Sequence, residues 1–111
     1  MEILIVLASL LFFHYLFDFP LQGKYVARAK NPVDPLPHTP WQHVMTAHAF
    51  MHAGGVYMVL GIWWIAALEF VSHFAIDYYK CRGELTYRQD QYFHMACKVL
   101  WVLLAIVTVK V

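Results

Sequence analysis

The chain has 111 residues, room for one compact domain, and 61% of them are hydrophobic, with a mean hydropathy of +0.53. A soluble domain carries about 45–50% apolar residues, and so short a chain has too little interior to hide the excess, whereas a bilayer accepts it. The net charge of +1 supplies no basic field of the kind nucleic acid requires, and the two cysteines, Cys81 and Cys97, form no metal or redox motif.

Spans are expected where about 20 largely apolar residues run together. The first covers 1–19, where Pro20 stops it. This run lacks a basic leader and a small-x-small cleavage site, so it is expected to stay in the chain as a span. The linker that follows opens with LQGKYVARAK, which reads as a short interfacial helix, and continues through a proline-rich stretch that cannot be regular helix.

Thr39-Pro40-Trp41-Gln42 then carries a T-x-x-Q capping box with proline at the first helical position, and predicts a span over 40–60. Gly61 permits a tight turn into a third span over 62–80. Gly83 is a helix stop, and Thr86 with Gln89 repeats the box ahead of a fourth span over 87–110. The predicted fold is all-α: a four-helix transmembrane bundle in one domain, 1–111.

Four spans with a tight turn at Gly61 put the 20–39 and 81–86 connections on one side. Lys24, Arg28, Lys30, Lys80, Arg82 and Arg88 lie in or beside them, six of the eight basic residues. The positive-inside rule makes that side cytoplasmic and both termini external. Trp41, Tyr78, Tyr79 and Tyr87 fit an interfacial aromatic belt.

Each predicted span carries ionisable residues at four-residue spacing: His14 and Asp18; His48 and His52; Glu69, His73 and Asp77; Asp90, His94 and Lys98. Four residues advance only about 40° around a helix, so each set forms one stripe. His43 falls on a different face. Counted from the cytoplasmic ends, His48, His73 and His94 share a layer roughly 11 Å deep, at about 1.5 Å per residue. Asp18 and His14 lie slightly shallower, Asp77 and Asp90 nearer the surface, and His52, Glu69 and Lys98 near the midplane.

A charged side chain at the bilayer centre costs on the order of 2.5–3.5 kcal/mol on insertion scales. These groups must therefore face inward and be paired or metal-bound. Imidazole with carboxylate suits zinc first, with iron and manganese as further fits. His14, Asp18, His48, His73, Asp77 and His94 are the expected metal ligands, enough for one divalent ion with supporting contacts or for two. The bland reading is a set of hydrogen-bonded pairs that specify helix packing. Lys98 most simply pairs with Glu69, and Asp90 in a first helical turn favours the helix dipole.

On this reading the chain is a membrane hydrolase acting on a lipid or phosphorylated amphiphile at the cytoplasmic leaflet. The ion would polarise the ester or phosphoryl group and bring the pKa of a bound water to about 7. Glu69 is the expected general base, or Asp90 if Glu69 is tied to Lys98. Gln22 and Lys24, with Arg82 beside them, would draw in an anionic head group. Membrane lipid and an amphiphilic phosphate are the expected partners, nucleic acid is not, and self-association is left open. The alternatives are a proton or metal-ion transporter protomer, a bis-histidine haem protein, and a structural protein with no catalysis. A pore is disfavoured because the outer half of the predicted bundle is apolar.

Four phrases carry a resemblance: HYLFDFPLQGKY at 14–25, HVMTAHAFMH at 43–52, HFAIDYYK at 73–80 and DQYFH at 90–94. Together they resemble a family of small bacterial and phage membrane proteins known as domain of unknown function 3307. That resemblance implies a bacterial inner-membrane location and no particular activity. The style of the His and Asp motifs is also similar to membrane-bound, metal-dependent hydrolases, whose chains are longer.

Overall fold

A computed structural model describes residues 2–109. Its helices are α1 (Ile3–Asp18), α2 (Gly23–Ala29), α3 (Trp41–Leu60), α4 (Trp63–Cys81) and α5 (Tyr87–Val109), and no strand occurs among the described residues. Helices occur where they are expected: α1, α3 and α5 fall within 1–19, 40–60 and 87–110, α4 follows 62–80 but ends one residue later at Cys81, and α2 falls within LQGKYVARAK. Lys110, placed at the end of the last span, lies outside the described residues. The bundle measures 49 × 24 × 22 Å.

Local chemistry accounts for most helix ends. Gly61 closes α3 with φ 68°, a left-handed conformation that glycine adopts without a Cβ clash, and its N–H reaches Tyr57 O at 2.7 Å. Thr86 and Gln89 form a reciprocal capping box: Thr86 N–H donates to Gln89 Oε1 at 2.9 Å and Gln89 N–H to Thr86 Oγ1 at 3.1 Å. The matching box expected at Thr39 does not form. Pro40, not Thr39, is the N-cap of α3, and Thr39 Oγ1 instead meets the Tyr25 hydroxyl at 3.1 Å. One residue of offset takes Thr39 out of reach of the α3 amides.

The long helices form a square in which α1 and α4 each pack chiefly against α3 and α5, while α2 lies on α3. Gly55 sets the approach of α3 to α1: a Cβ there would meet Phe17 at 3.0 Å and Phe13 at 3.2 Å. Toward the Gly61 end, Val6, Leu10, Val56, Ile65, Trp101 and Val102 pack as one apolar cluster. Toward the other end the interior changes character. His14, Lys30, His48, His52, Glu69, His73, Asp77, Asp90, Gln91, His94 and Lys98 are all buried there, while Leu4, Phe12, Phe50, Met58, Trp63, Val71 and Val107 are exposed.

Among the described residues, α5 alone is long and apolar enough to cross a membrane, over Tyr87–Thr108. The α1–α2 pair passes the same test only when taken together, and it is bent by 82°. With 16 residues, α1 is short by itself: about 24 Å at 1.5 Å per residue, against a hydrocarbon core of about 30 Å. In α3 and α4 the inward-facing histidines and carboxylates, together with Gly54 and Gly55, lower the mean hydropathy.

Candidate metal centre

On α4, the residues Ile65, Glu69, His73 and Asp77 are the buried ones, four apart, so one stripe of this helix meets all three neighbours. The stripe on α1 brings His14 and Asp18 inward, that on α3 His48 and His52, and that on α5 Asp90, His94 and Lys98. The five imidazoles form one body. His73 stacks on His52 with ring centroids 3.7 Å apart and on His94 at 4.1 Å. His48 lies 5.2 Å from His73, and His14 lies 5.1 Å from His94.

Asp18 and Asp77 are the two foci. His48 Nε2 and His52 Nε2 each lie 3.0 Å from Asp18 Oδ1, with His73 Nε2 at 3.8 Å. The other oxygen of Asp18 accepts from Gln91 Nε2 at 3.3 Å and faces His14 Nε2 at 3.5 Å. Asp77 Oδ1 faces His94 Nε2 at 3.1 Å, and Asp77 Oδ2 lies 3.4 Å from His48 Nε2 and 3.5 Å from His73 Nε2. Lys30, from the linker, donates to Asp77 Oδ2 at 2.7 Å and to Gln22 Oε1 at 2.6 Å.

Glu69 sits one turn deeper with both oxygens engaged. Oε1 accepts from Lys98 Nζ and Trp101 Nε1, each at 2.8 Å, and Oε2 lies 2.9 Å from His73 Nδ1. Facing a carboxylate, Nδ1 carries the proton, and in the neutral ring Nε2 therefore keeps its lone pair. That lone pair has no hydrogen-bond partner, and neither does Asp90 Oδ1. Two oxygens, of Asp18 and Asp77, stand 3.8 and 3.5 Å in front of it.

Three groupings have the proximity that one ion requires: Asp18 with His48, His52 and His73; His73 with Asp77 and His94; and Asp18 with Asp90 and His94. Two donor atoms about 2.0–2.2 Å from one ion at a tetrahedral angle lie about 3.4 Å apart. The separations around His73 and His48 fall on either side of that value. A carboxylate behind a ligating imidazole, as Glu69 is behind His73, is the usual way a protein orients such a ring.

Of the six expected ligands, Asp18, His48, His73, Asp77 and His94 fall in these groupings, whereas His14 falls in none and lies beside Asp18 Oδ2 and Gln91. His52, expected near the midplane with no ligand role, joins them on Asp18. Its sequence signal was the four-residue step from His48, set against the Gly54-Gly55 that follows. Gln91 and Trp101 carried no signal, because an amide and an indole show nothing in a census of ionisable groups. Lys30, one of the basic residues of the 20–39 connection, turns inward. Of the residues expected to act on substrate, Glu69 pairs with Lys98 as the spacing suggested, and Asp90 lies beside His94 at 3.4 Å. Gln22 donates to the Asp18 backbone carbonyl at 3.1 Å while holding Lys30, and Lys24 is exposed.

Fold and site together define an all-α protein whose interior is built around a His/Asp cluster able to hold a metal ion. The chain belongs to the family described as Protein of unknown function (DUF3307), whose profile matches residues 6–111. No curated protein and no solved structure matches it, so the likeness to metal-dependent hydrolases gains no support from relatives.

Proposed function

We propose that this chain is an integral membrane metalloprotein whose His/Asp cluster binds one divalent transition-metal ion. The observation that carries the proposal is the unpartnered Nε2 of His73, fully buried, held by Glu69 and aimed at two carboxylate oxygens. A lone pair facing carboxylates is repelled by them unless a cation lies between or the nitrogen takes up a proton. Asp18, His48, His52 and His73 are the ligands, a nitrogen-rich set that suits zinc, iron or manganese.

Charge counting supports the same reading. The cluster holds the carboxylates of Asp18, Glu69, Asp77 and Asp90 against the ammonium groups of Lys30 and Lys98. Lys98 balances Glu69 and Lys30 balances Asp77, which leaves two negative charges on Asp18 and Asp90. One divalent ion balances them, as would two protons on the imidazoles. The second option is the purely structural reading.

Membrane insertion rests on the inverted sorting of residues, apolar outside and ionisable inside. Exposed aromatics stand at both ends, Tyr25, Tyr79 and Tyr87 at one and Tyr57 and Trp63 at the other. The end with the 20–39 and 81–86 connections is assigned to the cytoplasm of a bacterial inner membrane, because Lys24, Arg28, Lys80, Arg82 and Arg88 are exposed there. Transport is disfavoured by the apolar cluster that fills the opposite half.

The position of the cluster, on the side of the basic end, favours a second reading: hydrolysis of a lipid or phosphorylated amphiphile at that leaflet. Glu69 is too fully engaged to act as base, whereas Asp90 keeps one oxygen without a hydrogen bond, 3.4 Å from His94 Nε2. The test of the primary reading is elemental analysis of the detergent-purified protein beside His73→Ala. Near-stoichiometric metal that the variant loses is the expected result. Equal trace metal in both would leave only the structural network. Turnover of lipid and polyprenyl phosphates by the metal-loaded protein, absent in Asp90→Asn, would establish the second reading.

A further inference from the structure

Lys30 is a lysine out of place. It is 9% exposed, at the C-terminal end of α2, while Lys24 and Arg28 of the same short helix stay outside. Its ammonium sits between Asp77 Oδ2 at 2.7 Å and Gln22 Oε1 at 2.6 Å. Asp77 also faces His94 and His73 and belongs with them to a second grouping of ligand distance. Gln22 is itself fixed by its bond to the Asp18 carbonyl. The nitrogen of Lys30 therefore occupies a point already furnished with two oxygen donors, one of which, Asp77 Oδ2, is also approached by His48 at 3.4 Å and His73 at 3.5 Å.

We propose that this point is a second divalent-cation site, filled in the resting protein by the tethered ammonium of Lys30. The inference rests on the metal reading of the adjoining Asp18 cluster. The ammonium and a small divalent ion answer the same requirement, a positive charge beside a buried carboxylate. They differ in reach, since the metal would draw Asp77 and Gln22 in to about 2.0–2.2 Å. Oxygen outweighs nitrogen at this position, so the site takes a harder ion than the neighbouring one, manganese or magnesium before zinc. His48 and His73 stay with the Asp18 grouping, Asp77 Oδ2 and Gln22 Oε1 serve the second ion, and His94 steadies Asp77 through its other oxygen. Lys30 thereby sets how many ions the cluster accepts.

The test counts Mn²⁺ and Zn²⁺ per chain by elemental analysis after equilibration in detergent, for wild type, Lys30→Met and Lys30→Arg. Lys30→Met is expected to bind one more ion than wild type, and the added ion to be Mn²⁺ when both are offered. Lys30→Arg, which keeps the cation, is expected to match wild type. An unchanged count in Lys30→Met, or a raised count in Lys30→Arg, overturns the proposal. A count rising from none to one on loss of Lys30 would keep this site and defeat the Asp18 centre, and none in both would defeat the two together. If Lys30→Met is recovered unfolded, its refolding with and without Mn²⁺ decides: rescue by the ion supports the site, and no rescue overturns it.

Discussion

The two halves of the bundle are built from the same four helices and obey opposite rules. Near Gly61 the interior is Val6, Leu10, Val56, Ile65, Trp101 and Val102, held by dispersion, with the Trp101 indole N–H alone reaching across to Glu69. Toward the basic end it is imidazole, carboxylate and ammonium, held by bonds that work only at one distance and angle. Helix α4 crosses the boundary: Ile65 faces the first half, and Glu69, His73 and Asp77 the second, on a single stripe. The apolar half fixes helix spacing, so that the polar half can be arranged without depending on an ion to assemble the bundle. Stability and site chemistry should therefore separate along α4.

The largest effect is expected at the boundary itself. Glu69→Ala removes the partner of Lys98, which is 1% exposed, and strands a buried cation, a loss of about 3–5 kcal/mol. Thermal unfolding in detergent measures it. The double variant Glu69→Leu/Lys98→Met, which removes both charges, should recover most of that loss. No recovery would mean that Glu69 contributes through Trp101 and His73 rather than through the ion pair.

Next is the contrast between Ile65 and His73, two turns apart. Ile65→Ala should cost about 2–5 kcal/mol of stability and leave metal content unchanged. His73→Ala should lower metal content by about tenfold or more, with a smaller change in unfolding temperature. If each variant moved both readouts equally, the two halves would be one cooperative unit and the division drawn here would be wrong. A finer probe is Glu69→Gln, which keeps the shape but weakens the hold on His73 Nδ1. It should reduce metal affinity by about 10–100-fold, read by competition with a chelator.

Helix positions were legible because apolar runs, Gly61, Gly83 and the Thr86 box are local signals. The convergence of His14, Asp18, His48, His73, Asp77 and His94 was legible too, since four-residue spacing and a count from the helix ends give face and depth. What was not legible depended on neighbours across the bundle. His52 shares a layer with His73 because Gly55 lets α1 and α3 close up and carry Asp18 to it, a contact invisible along one helix. Lys30 turned inward because α2 bends back by 82° after α1, a geometry that the proline-rich linker does not announce. The spacing of Glu69 allows a base, but Trp101, 32 residues on in sequence and adjacent in space, engages its Oε1 together with Lys98.

The smallest expected effect concerns the two T-x-x-Q boxes, one at each long helix that starts from the basic end. Identical in sequence, they differ in structure: Thr86 and Gln89 bond reciprocally, while Thr39 lies one residue before the α3 N-cap and faces Tyr25. An N-cap threonine contributes about 1 kcal/mol through the amide it satisfies. Thr86→Ala should therefore lower stability by about that amount, and Thr39→Ala by a few tenths at most, since only an exposed hydroxyl contact is lost. Equal losses would mean that α3 starts at Thr39 after all. Pro40 would then sit at the first helical position, Gln42 would close the box, and α3 would be one residue longer at the end nearest the His/Asp cluster.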